Sequence, residues 1–379
     1  MRIAIDYNAG VRQIAGIGRY VRDMVRSFAA LDSGDAIILL YAARGLAADS
    51  WGLRDLKTLQ REFPAIHSVP MPISERLLTI AWQRLRLPLP VERWTGPVDV
   101  FHAPDFVLAP VRQARTVVTV HDLTFRIHPE TAFPRLRRFL EVAVPRSLRR
   151  ADRVVAVSHS TARDVEQQLG IAPTKLRVIQ HGLNTHFRRV DDAARLEHIR
   201  ERYGLHAPFL LHVGTIEPRK NLERLMDAFA QLRSPQPLEL VLGGRQGWLA
   251  APIVAHAART PGVRLLGPID DADLPGVYSL AQGLAYPSLY EGFGFPALEA
   301  LACGTPVVAS RTSSIPEVVG DAALLIAPQD TDALRAALQR LLDEPQLTAA
   351  ARSAGPIQAA SFSWERAARE LLAVYREVA

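Results

Sequence analysis

The sequence has one cysteine, no long apolar run and no phosphate-binding loop of the GxxxxGK[ST] type. The single cysteine, Cys303, excludes an intramolecular disulfide and fits a reducing compartment. No apolar stretch reaches the roughly 20 residues that span a bilayer, and MRIAIDYNAG is typical of a first strand and not of a signal peptide. These absences predict a cytoplasmic protein and exclude a P-loop kinase or ATPase.

What the chain contains is typical of a globular protein with more than one core. It has 379 residues, of which 48% are hydrophobic and 22% charged, and this length favours two domains. The formal net charge is +6 and the sequence pI is about 9.7. A basic balance suits a negatively charged partner, and nucleic acid, an anionic membrane face and a nucleotide diphosphate all fit it.

Short apolar runs alternate with helix-length segments, the pattern of parallel sheets covered by helices. The series breaks at a polar stretch, so we predict a first domain over residues 1–184, a linker over 185–206 and a second domain over 207–361. Strands are predicted in the first half at 3–6, 36–41, 98–102, 116–120, 153–158 and 176–179, and in the second half at 209–213, 238–242, 263–266 and 283–287.

One stretch, YPSLYEGFGFPALEALACG at 286–304, combines a strand end with a glycine-rich loop and a short helix. Pro296 and Gly304 are the residues expected just inside the start and just past the end of that helix. Gly292 and Gly294 let a ligand approach the backbone, so this loop is a place to hold an anion or a sugar hydroxyl. Glu299 would either complement the helix dipole or meet a hydrogen-bonding partner.

Two further glycine-bearing turns follow predicted strands. Gly16 and Gly18 precede a helical pattern but form only part of a dinucleotide fingerprint, because no acidic residue ends the next strand. Arg219 and Lys220, in HVGTIEPRKN, precede a helix predicted at 222–232, where their charges suit a diphosphate. A solvated basic turn is the alternative interpretation.

Polar residues also end predicted strands of the first half. His102, His121 with Asp122, and Ser158 with His159 lie where ligands bind in parallel sheets. A single histidine is more often a structural hydrogen-bonding group than a catalytic one, but three such strand ends favour a binding face.

The spacing of Glu291 and Glu299 within EGFGFPALE, followed by EALACGTPVVAS, resembles glycosyltransferase family 4. HVGTIEPRKN, VVTVHDLTF, VDVFHAPDF and RVVAVSHSTARDV resemble other blocks of the same family. The resemblance implies an α/β GT-B fold, with two Rossmann-like domains facing across a cleft. It also implies that the last helix, within 362–379, crosses back to the first domain.

The resemblance also implies roles for the residues of these motifs. Glu291 would hold the donor sugar, Glu299 the nucleotide ribose and His121 a sugar hydroxyl. The catalytic residues would be His121, Glu291, Arg219 and Lys220. The remaining donor contacts would come from Gly16, Gly18, Gly214, Thr215, Gly243, Gly267, Gly292, Phe293 and Gly294. Where many members have a Gly-Arg pair, this chain has Gly214 and Thr215, so the diphosphate contact would fall to Arg219 or Lys220 alone.

The activity implied is sugar transfer from a nucleotide diphosphate sugar with retention of configuration. GIGRY, VVTVHDLTF and HVGTIEPRKNL are most similar to bacterial mannosyltransferases of O-antigen and other cell-surface polysaccharides. That implies GDP-mannose as donor and a saccharide or lipid-linked saccharide as acceptor. A UDP- or dTDP-sugar donor, a UDP-sugar epimerase and a non-catalytic anion-binding protein are the alternatives. Nucleic acid is disfavoured, because stacking aromatics are sparse in the arginine-rich segments.

Neither a metal nor a cofactor is expected. The DAD triplet at 271–273 is interpreted as a helix start, with Asp273 capping a helix that runs to Ala281. The arginine-rich segments 73–90 and 133–153 are interpreted either as solvated helix faces or as a peripheral contact with the anionic inner leaflet of the membrane. Pro145 is predicted to kink or end the helix of the second segment.

Overall fold

A computed structural model describes residues 1–14 and 16–379 of the chain. These residues form two compact units, the first made of 1–123, 138–182 and 363–379, the second of 124–137 and 183–362. The predicted domains differ from these units mainly at 124–137, which belongs to the second unit, where Trp248 Nε1 donates a 2.7 Å hydrogen bond to the Thr131 carbonyl. The predicted linker lies inside the second unit.

A seven-stranded parallel sheet forms the centre of the first unit. Its strands are short runs of β-branched and aliphatic residues, and most are buried because helices cover both faces of such a sheet. The spatial order β3-β2-β1-β4-β5-β6-β7 reverses between β1 and β4. The strands are β1 (Arg2–Asp6), β2 (Ala36–Ala42), β3 (Ile66–Met71), β4 (Val100–Ala103), β5 (Arg115–Val120), β6 (Arg153–Ala156) and β7 (Leu176–Val178).

Eight α-helices accompany these strands along the described part of the chain. The apolar side of the second one is buried as its spacing of three and four predicts, with Val21, Met24 and Phe28 in the core. The helices are α1 (Asn8–Arg12), α2 (Ile17–Ala29), α3 (Trp51–Glu62), α4 (Glu75–Thr79), α5 (Glu92–Thr95), α6 (Thr124–Ile127), α7 (Pro134–Arg150) and α8 (His159–Leu169).

Pro145 was predicted to kink or end its helix, and it does not end it, because α7 continues through it to Arg150. Pro145 removes one backbone hydrogen bond, but it is buried together with Val144 and Leu148. Ser147 Oγ also accepts a 2.9 Å hydrogen bond from the backbone N–H of Leu108. Packing on both sides of the proline therefore holds the helix together.

The second unit contains a six-stranded parallel sheet in the order β10-β9-β8-β11-β12-β13. Its strands are β8 (Phe209–Val213), β9 (Glu239–Gly243), β10 (Val263–Gly267), β11 (Gly283–Tyr286), β12 (Val307–Ser310) and β13 (Leu324–Ile326). Its helices are α9 (Ala193–Tyr203), α10 (Leu222–Phe229), α11 (Ala251–Ala257), α12 (Leu274–Leu280), α13 (Phe295–Ala302), α14 (Ile315–Val319), α15 (Thr331–Asp343) and α16 (Pro345–Ala360).

Asp273 occupies the N-cap position of α12, but its side chain makes no capping hydrogen bond, so that part of the prediction is wrong. Its carboxylate instead accepts hydrogen bonds from Arg202 at 2.7 Å and from the Tyr203 hydroxyl at 3.0 Å. The charged partner on α9 competes successfully with the weaker backbone donors of the helix end.

The last helix, α17 (Trp364–Val378), belongs to the first unit, as the family resemblance implied. Tyr375 is fully buried, and its hydroxyl lies 2.6 Å from Nδ1 of His102 on β4. His102 Nε2 lies 2.8 Å from the Thr119 hydroxyl, and that hydroxyl lies 3.3 Å from the hydroxyl of Tyr20. Both ring nitrogens of His102 are thus used inside the core, which assigns it a structural role.

Candidate active site

The candidate site lies where the strand order of the second sheet reverses, between β8 and β11. Ligands of open parallel sheets bind outside the carboxyl ends of the strands at such a point. The chain leaves β8 through Gly214 and Thr215 and reaches a 3-10 turn, Pro218–Lys220. It leaves β11 through Pro287 and reaches Glu291.

Four side chains from these two loops and one from the end of β11 form a charged cluster, consisting of Glu217, Arg219, Lys220, Glu291 and Tyr286. Lys220 Nζ donates to Glu291 Oε1 at 2.6 Å and to the Tyr286 hydroxyl at 3.2 Å. Arg219 Nη1 donates to Glu291 Oε2 at 2.6 Å, and Arg219 Nη2 donates to Glu217 Oε1 at 2.7 Å. Both oxygens of Glu291 are therefore held by cations.

Burial sets the electrostatics of the charged cluster. Burial by itself would raise the pKa of the Glu291 carboxyl, but Arg219 and Lys220 hold that pKa well below its usual range. Burial and the neighbouring Arg219 charge lower the pKa of Lys220. Burial, and after it the Glu291 charge, raises the pKa of Tyr286, so this phenol stays protonated.

The charges of the cluster balance. Arg219 and Lys220 supply two positive charges, and Glu217 and Glu291 supply two negative ones. The two cations predicted to bind a diphosphate are thus both paired with carboxylates. The cluster is preorganised, but it offers no net positive charge to a dianionic ligand.

Two serines from the loop before α14 fix the backbone that carries Glu291. Ser313 Oγ accepts a 2.9 Å hydrogen bond from the Glu291 N–H. Ser314 Oγ lies 3.0 Å from the Glu291 carbonyl and 2.8 Å from the Phe293 carbonyl. Sequence reasoning missed both serines, because only folding brings them to this loop.

The glycine ends of three strands meet beside the charged cluster. Gly214 N–H donates to the Gly243 carbonyl at 2.9 Å, and Gly244 N–H donates to the Gly267 carbonyl at 2.7 Å. A Cβ on Gly244 would lie 1.9 Å from the Gly214 carbonyl oxygen, so only glycine fits there. The structure thus brings Gly214, Gly243 and Gly267 together, as the predicted donor site requires.

The helix α13 begins at Gly294, whose φ of 111° is in the region that favours glycine. Phe293, just before it, is buried and packs against Phe295 with ring centroids 5.2 Å apart. Glu299 is 2% exposed, and its Oε2 accepts a 2.8 Å hydrogen bond from the Tyr278 hydroxyl. The buried carboxylate thus has the hydrogen-bonding partner that its burial requires, while a contact with the nucleotide ribose stays a prediction.

The buried His212 on β8 was not predicted as a site residue. Its Nδ1 lies 3.0 Å from the Ala285 carbonyl and must donate to it, so Nε2 carries a lone pair. Among the described residues Nε2 has no hydrogen-bond partner, and a Cβ added to Gly214 would lie 3.4 Å from it. Burial lowers the pKa of His212 to about 4.

Three of the predicted site residues belong to the first unit. His121 follows β5 and is buried against Tyr20, with ring centroids 4.8 Å apart. Gly16 precedes α2, and a Cβ there would meet nothing within 4 Å. Gly18 is different, because a Cβ would lie 2.0 Å from the Gln13 carbonyl oxygen, so close packing alone requires glycine.

The tautomer of His121 follows from its partner. Nε2 lies 2.8 Å from the Pro104 carbonyl, which can only accept, so Nε2 carries the proton. Burial lowers the pKa of His121 to about 4, and the ring is neutral near pH 7. Nδ1 is therefore a hydrogen-bond acceptor, suited to a ligand hydroxyl.

Within residues 1–14 and 16–379, no three His, Cys, Asp or Glu side chains are grouped so that they could hold a metal ion. In the same part of the chain, no helix combines the length and the apolar character that crossing a membrane requires.

Comparison with known proteins covers both units. The family model described as Glycosyltransferase Family 4 matches residues 14–187, and the one described as Glycosyl transferases group 1 matches residues 207–344. The O-antigen chain mannosyltransferase B of Escherichia coli is 32% identical over 282 residues, which cover 73% of this chain and 74% of that protein. The serotype-specific mannosyltransferase WbdA of Escherichia coli is 30% identical over 266 residues, 67% of this chain but only 32% of WbdA.

Solved structures share the architecture over the whole chain. Sucrose-phosphate synthase from Thermosynechococcus elongatus has a TM-score of 0.78 at 23% identity, covering 100% of this chain and 99% of that one. Anabaena HepE, solved in complex with UDP-glucose, has a TM-score of 0.74 at 19% identity, covering 100% of both chains. At these identities the likeness establishes the fold alone.

Proposed function

Because the chain belongs to glycosyltransferase family 4 and has the GT-B fold, we propose that it transfers mannose from GDP-mannose to a saccharide or lipid-linked saccharide, with retention of configuration. The product would be part of a cell-surface polysaccharide. The mannosyltransferase names of two relatives support the sugar, and the O-antigen name of one supports the kind of acceptor.

The observation that carries the proposal is the Lys220–Glu291 pair at the strand-order reversal of the second sheet. Breaking the bond between the sugar and the diphosphate develops negative charge on the diphosphate. Lys220 and Arg219, each paired with one oxygen of Glu291, would stabilise that charge, and the Glu291 carboxylate would orient the sugar hydroxyls.

In the proposed reaction the acceptor oxygen bonds to the anomeric carbon on the face from which the diphosphate departs. The carbon–oxygen bond to the diphosphate breaks, and the proton of the acceptor hydroxyl leaves with the diphosphate. No protein nucleophile is needed for this step. His121, with an acceptor lone pair on Nδ1, would hold a sugar hydroxyl, and Glu299 the ribose.

Other donors fit the same residues. The UDP-glucose complex of HepE makes a UDP-hexose the first alternative, and a dTDP-sugar is another. A UDP-sugar epimerase would need further carboxylates poised for proton transfer around the sugar. A non-catalytic anion-binding protein would show no turnover. The cations of the charged cluster are already paired with carboxylates, so the cluster is poorly suited to binding an anion without catalysis.

A thermal-shift panel of GDP, UDP, ADP and dTDP tests the donor. A nucleotide at about 100 times its dissociation constant stabilises the protein by roughly 2.7 kcal/mol. A shift with GDP followed by mannosyl transfer from GDP-mannose, with the anomer identified by NMR, would support the proposal. A shift with UDP or dTDP alone would change the assigned donor from GDP-mannose to a UDP- or dTDP-sugar. The absence of a shift with any nucleotide would contradict the proposed function.

The proposal includes a cytoplasmic location with peripheral contact to the anionic inner leaflet. Along α7 and its start, Phe133, Leu136 and Val142 are exposed beside several arginines. Exposed apolar residues among basic ones are typical of interfacial segments. Cosedimentation with phosphatidylglycerol vesicles, compared with phosphatidylcholine vesicles, tests this contact. Equal recovery with both would contradict it, and Leu136→Ser with Val142→Ser should reduce binding to the anionic vesicles.

A further inference from the structure

The charged cluster leaves a donor diphosphate without a compensating charge. Its two cations are neutralised by Glu217 and Glu291, and both pairs are largely buried. A nucleotide diphosphate sugar brings two negative phosphates to the same strand ends. A further cation near Gly214 would complete the site.

The loops after β8 and β9 run side by side. Val213 pairs with Gly243, and Ile216 forms a parallel bridge with Gln246 at the same residue offset. Arg245 is therefore the counterpart of Thr215 on the neighbouring loop, and its carbonyl accepts a 2.8 Å hydrogen bond from Ile216 N–H. Neighbouring strands lie about 4.8 Å apart, well within the reach of an arginine side chain.

Arg245 is available for a ligand. Its side chain is exposed, and among the described residues its guanidinium has no hydrogen bond or ion pair. Its neighbours on the loop are Gly243, Gly244 and Gly247, so few side chains obstruct an approach to the strand ends. Thr215 is also exposed and carries no charge.

We propose that Arg245 binds the diphosphate of the nucleotide-sugar donor and supplies the positive charge that the charged cluster lacks. The inference rests on the proposed function, because it needs a nucleotide at the ends of β8 and β9. The planar guanidinium suits bidentate contact with phosphate oxygens. It would act in binding and, together with Lys220, in stabilising the departing diphosphate, while Glu291 holds the sugar.

The test compares GDP with GMP by calorimetric titration of the wild type and of Arg245→Ala; UDP and UMP replace them if the panel selects UDP. Losing a charge-assisted contact should weaken GDP binding by about 10- to 100-fold. Binding of GMP should change by less than about threefold, since most of the contact is to the second phosphate. The expected result is therefore a collapse of the GDP-to-GMP affinity ratio.

Arg259→Ala is the matched control. Arg259 is an exposed arginine just beyond the carboxyl end of α11, and among the described residues its side chain has no partner, so the variant makes the same charge change away from the strand ends. It should keep the wild-type ratio. Thr215→Arg in the Arg245→Ala background should restore GDP binding, because it returns a guanidinium to the adjacent loop.

Equal losses for GDP and GMP in Arg245→Ala would assign the side chain to the α-phosphate, the ribose or the base, which both nucleotides share, and would overturn the contact with the second phosphate that the inference requires. An unchanged GDP affinity, or a double variant as weak as Arg245→Ala, would also overturn it while leaving the proposed function intact. A wild type that binds neither GDP nor UDP would overturn the proposed function and the inference together.

Discussion

Lys220 Nζ lies 2.6 Å from Glu291 Oε1, although 71 residues separate the two along the chain. The contact joins the loop after β8 to the loop after β11, and the Tyr286 hydroxyl accepts a 3.2 Å hydrogen bond from the same lysine. A cation and a carboxylate at this spacing hold each other in position before any substrate arrives. The geometry makes Lys220 the side chain on which the proposed chemistry depends most.

Lys220→Ala should lower kcat by about 100-fold or more, because it removes a preorganised cation from the developing negative charge. Initial rates with saturating donor measure the effect. Lys57→Ala, at an exposed position on α3, is the control and should leave kcat unchanged. A kcat for Lys220→Ala within threefold of the wild type, roughly 0.6 kcal/mol, would exclude the assigned role.

Glu217→Gln should destabilise the second unit by about 3 kcal/mol, because it removes one of the two carboxylates that Arg219 contacts and leaves the buried cluster with an unbalanced positive charge. Urea unfolding measures the change. Glu344→Gln removes the partner of an exposed arginine, Arg340, and is the matched control, with no measurable shift expected. If both variants unfold at the same urea concentration, the Glu217–Arg219 pair contributes nothing.

Gly244→Ala should destabilise the protein and weaken nucleotide binding, because its Cβ would meet the Gly214 carbonyl oxygen at 1.9 Å. Backbone strain of this kind costs on the order of 1–3 kcal/mol. Gly45→Ala separates the two causes, since Gly45 also has a positive φ but open space around its Cβ. Thermal unfolding should show a clearly larger loss for Gly244→Ala, and equal losses would assign the effect to φ alone.

His102 should make the first unit less stable in acid. Burial lowers its pKa to about 3, so between pH 3 and 6.5 the unfolded chain binds a proton that the folded chain does not. The stability is complete above pH 6.5 and falls as the pH decreases, by at most about 1.4 kcal/mol per pH unit for this group. His102→Gln should flatten the profile of melting temperature against pH, and an unchanged slope would contradict the assignment.

Asp105 should make stability depend on pH in the direction opposite to that of His102. Burial, and after it the Asp6 and Glu75 charges, raises its pKa to about 7, so the folded chain keeps a proton that the unfolded chain loses above pH 4. The resulting destabilisation builds up as the pH rises and is complete above pH 7. Asp105→Asn should therefore raise the melting temperature at pH 8 and have no effect at pH 3.5. A loss of stability at pH 8 would contradict this prediction.

Local signals predicted much of the fold. Runs of Val, Ile and Leu between glycine and proline located ten of the strands, and the period of α17 located a helix whose face is buried as expected. Three strands were missed, at Ile66–Met71, Val307–Ser310 and Leu324–Ile326. Two local signals were outweighed by tertiary contacts. Packing of Leu148 stabilises α7 beyond Pro145, and the Asp273 carboxylate binds Arg202 instead of the backbone N–H groups at the start of α12.

The sequence predicted which residues form the candidate site, but not which ion pairs they make with one another. Glu291, Arg219 and Lys220 were identified from two motifs, yet their mutual contacts depend on the approach of β8 and β11. Glu217 was overlooked, although its position two residues before Arg219 in EPRKN was a signal that the arginine already had a partner. Arg245 was overlooked because only the register between two loops sets it beside Thr215.

The return of α17 to the first unit has a consequence for biosynthesis. Tyr375 completes the hydrogen-bond chain that runs through His102 and Thr119, and it follows the whole of the second unit along the chain. A ribosome must therefore finish the second unit before the first can close its core. Until then, the nascent first unit would expose the side of α2 and β4 that α17 covers, and exposed apolar surface of this kind favours aggregation.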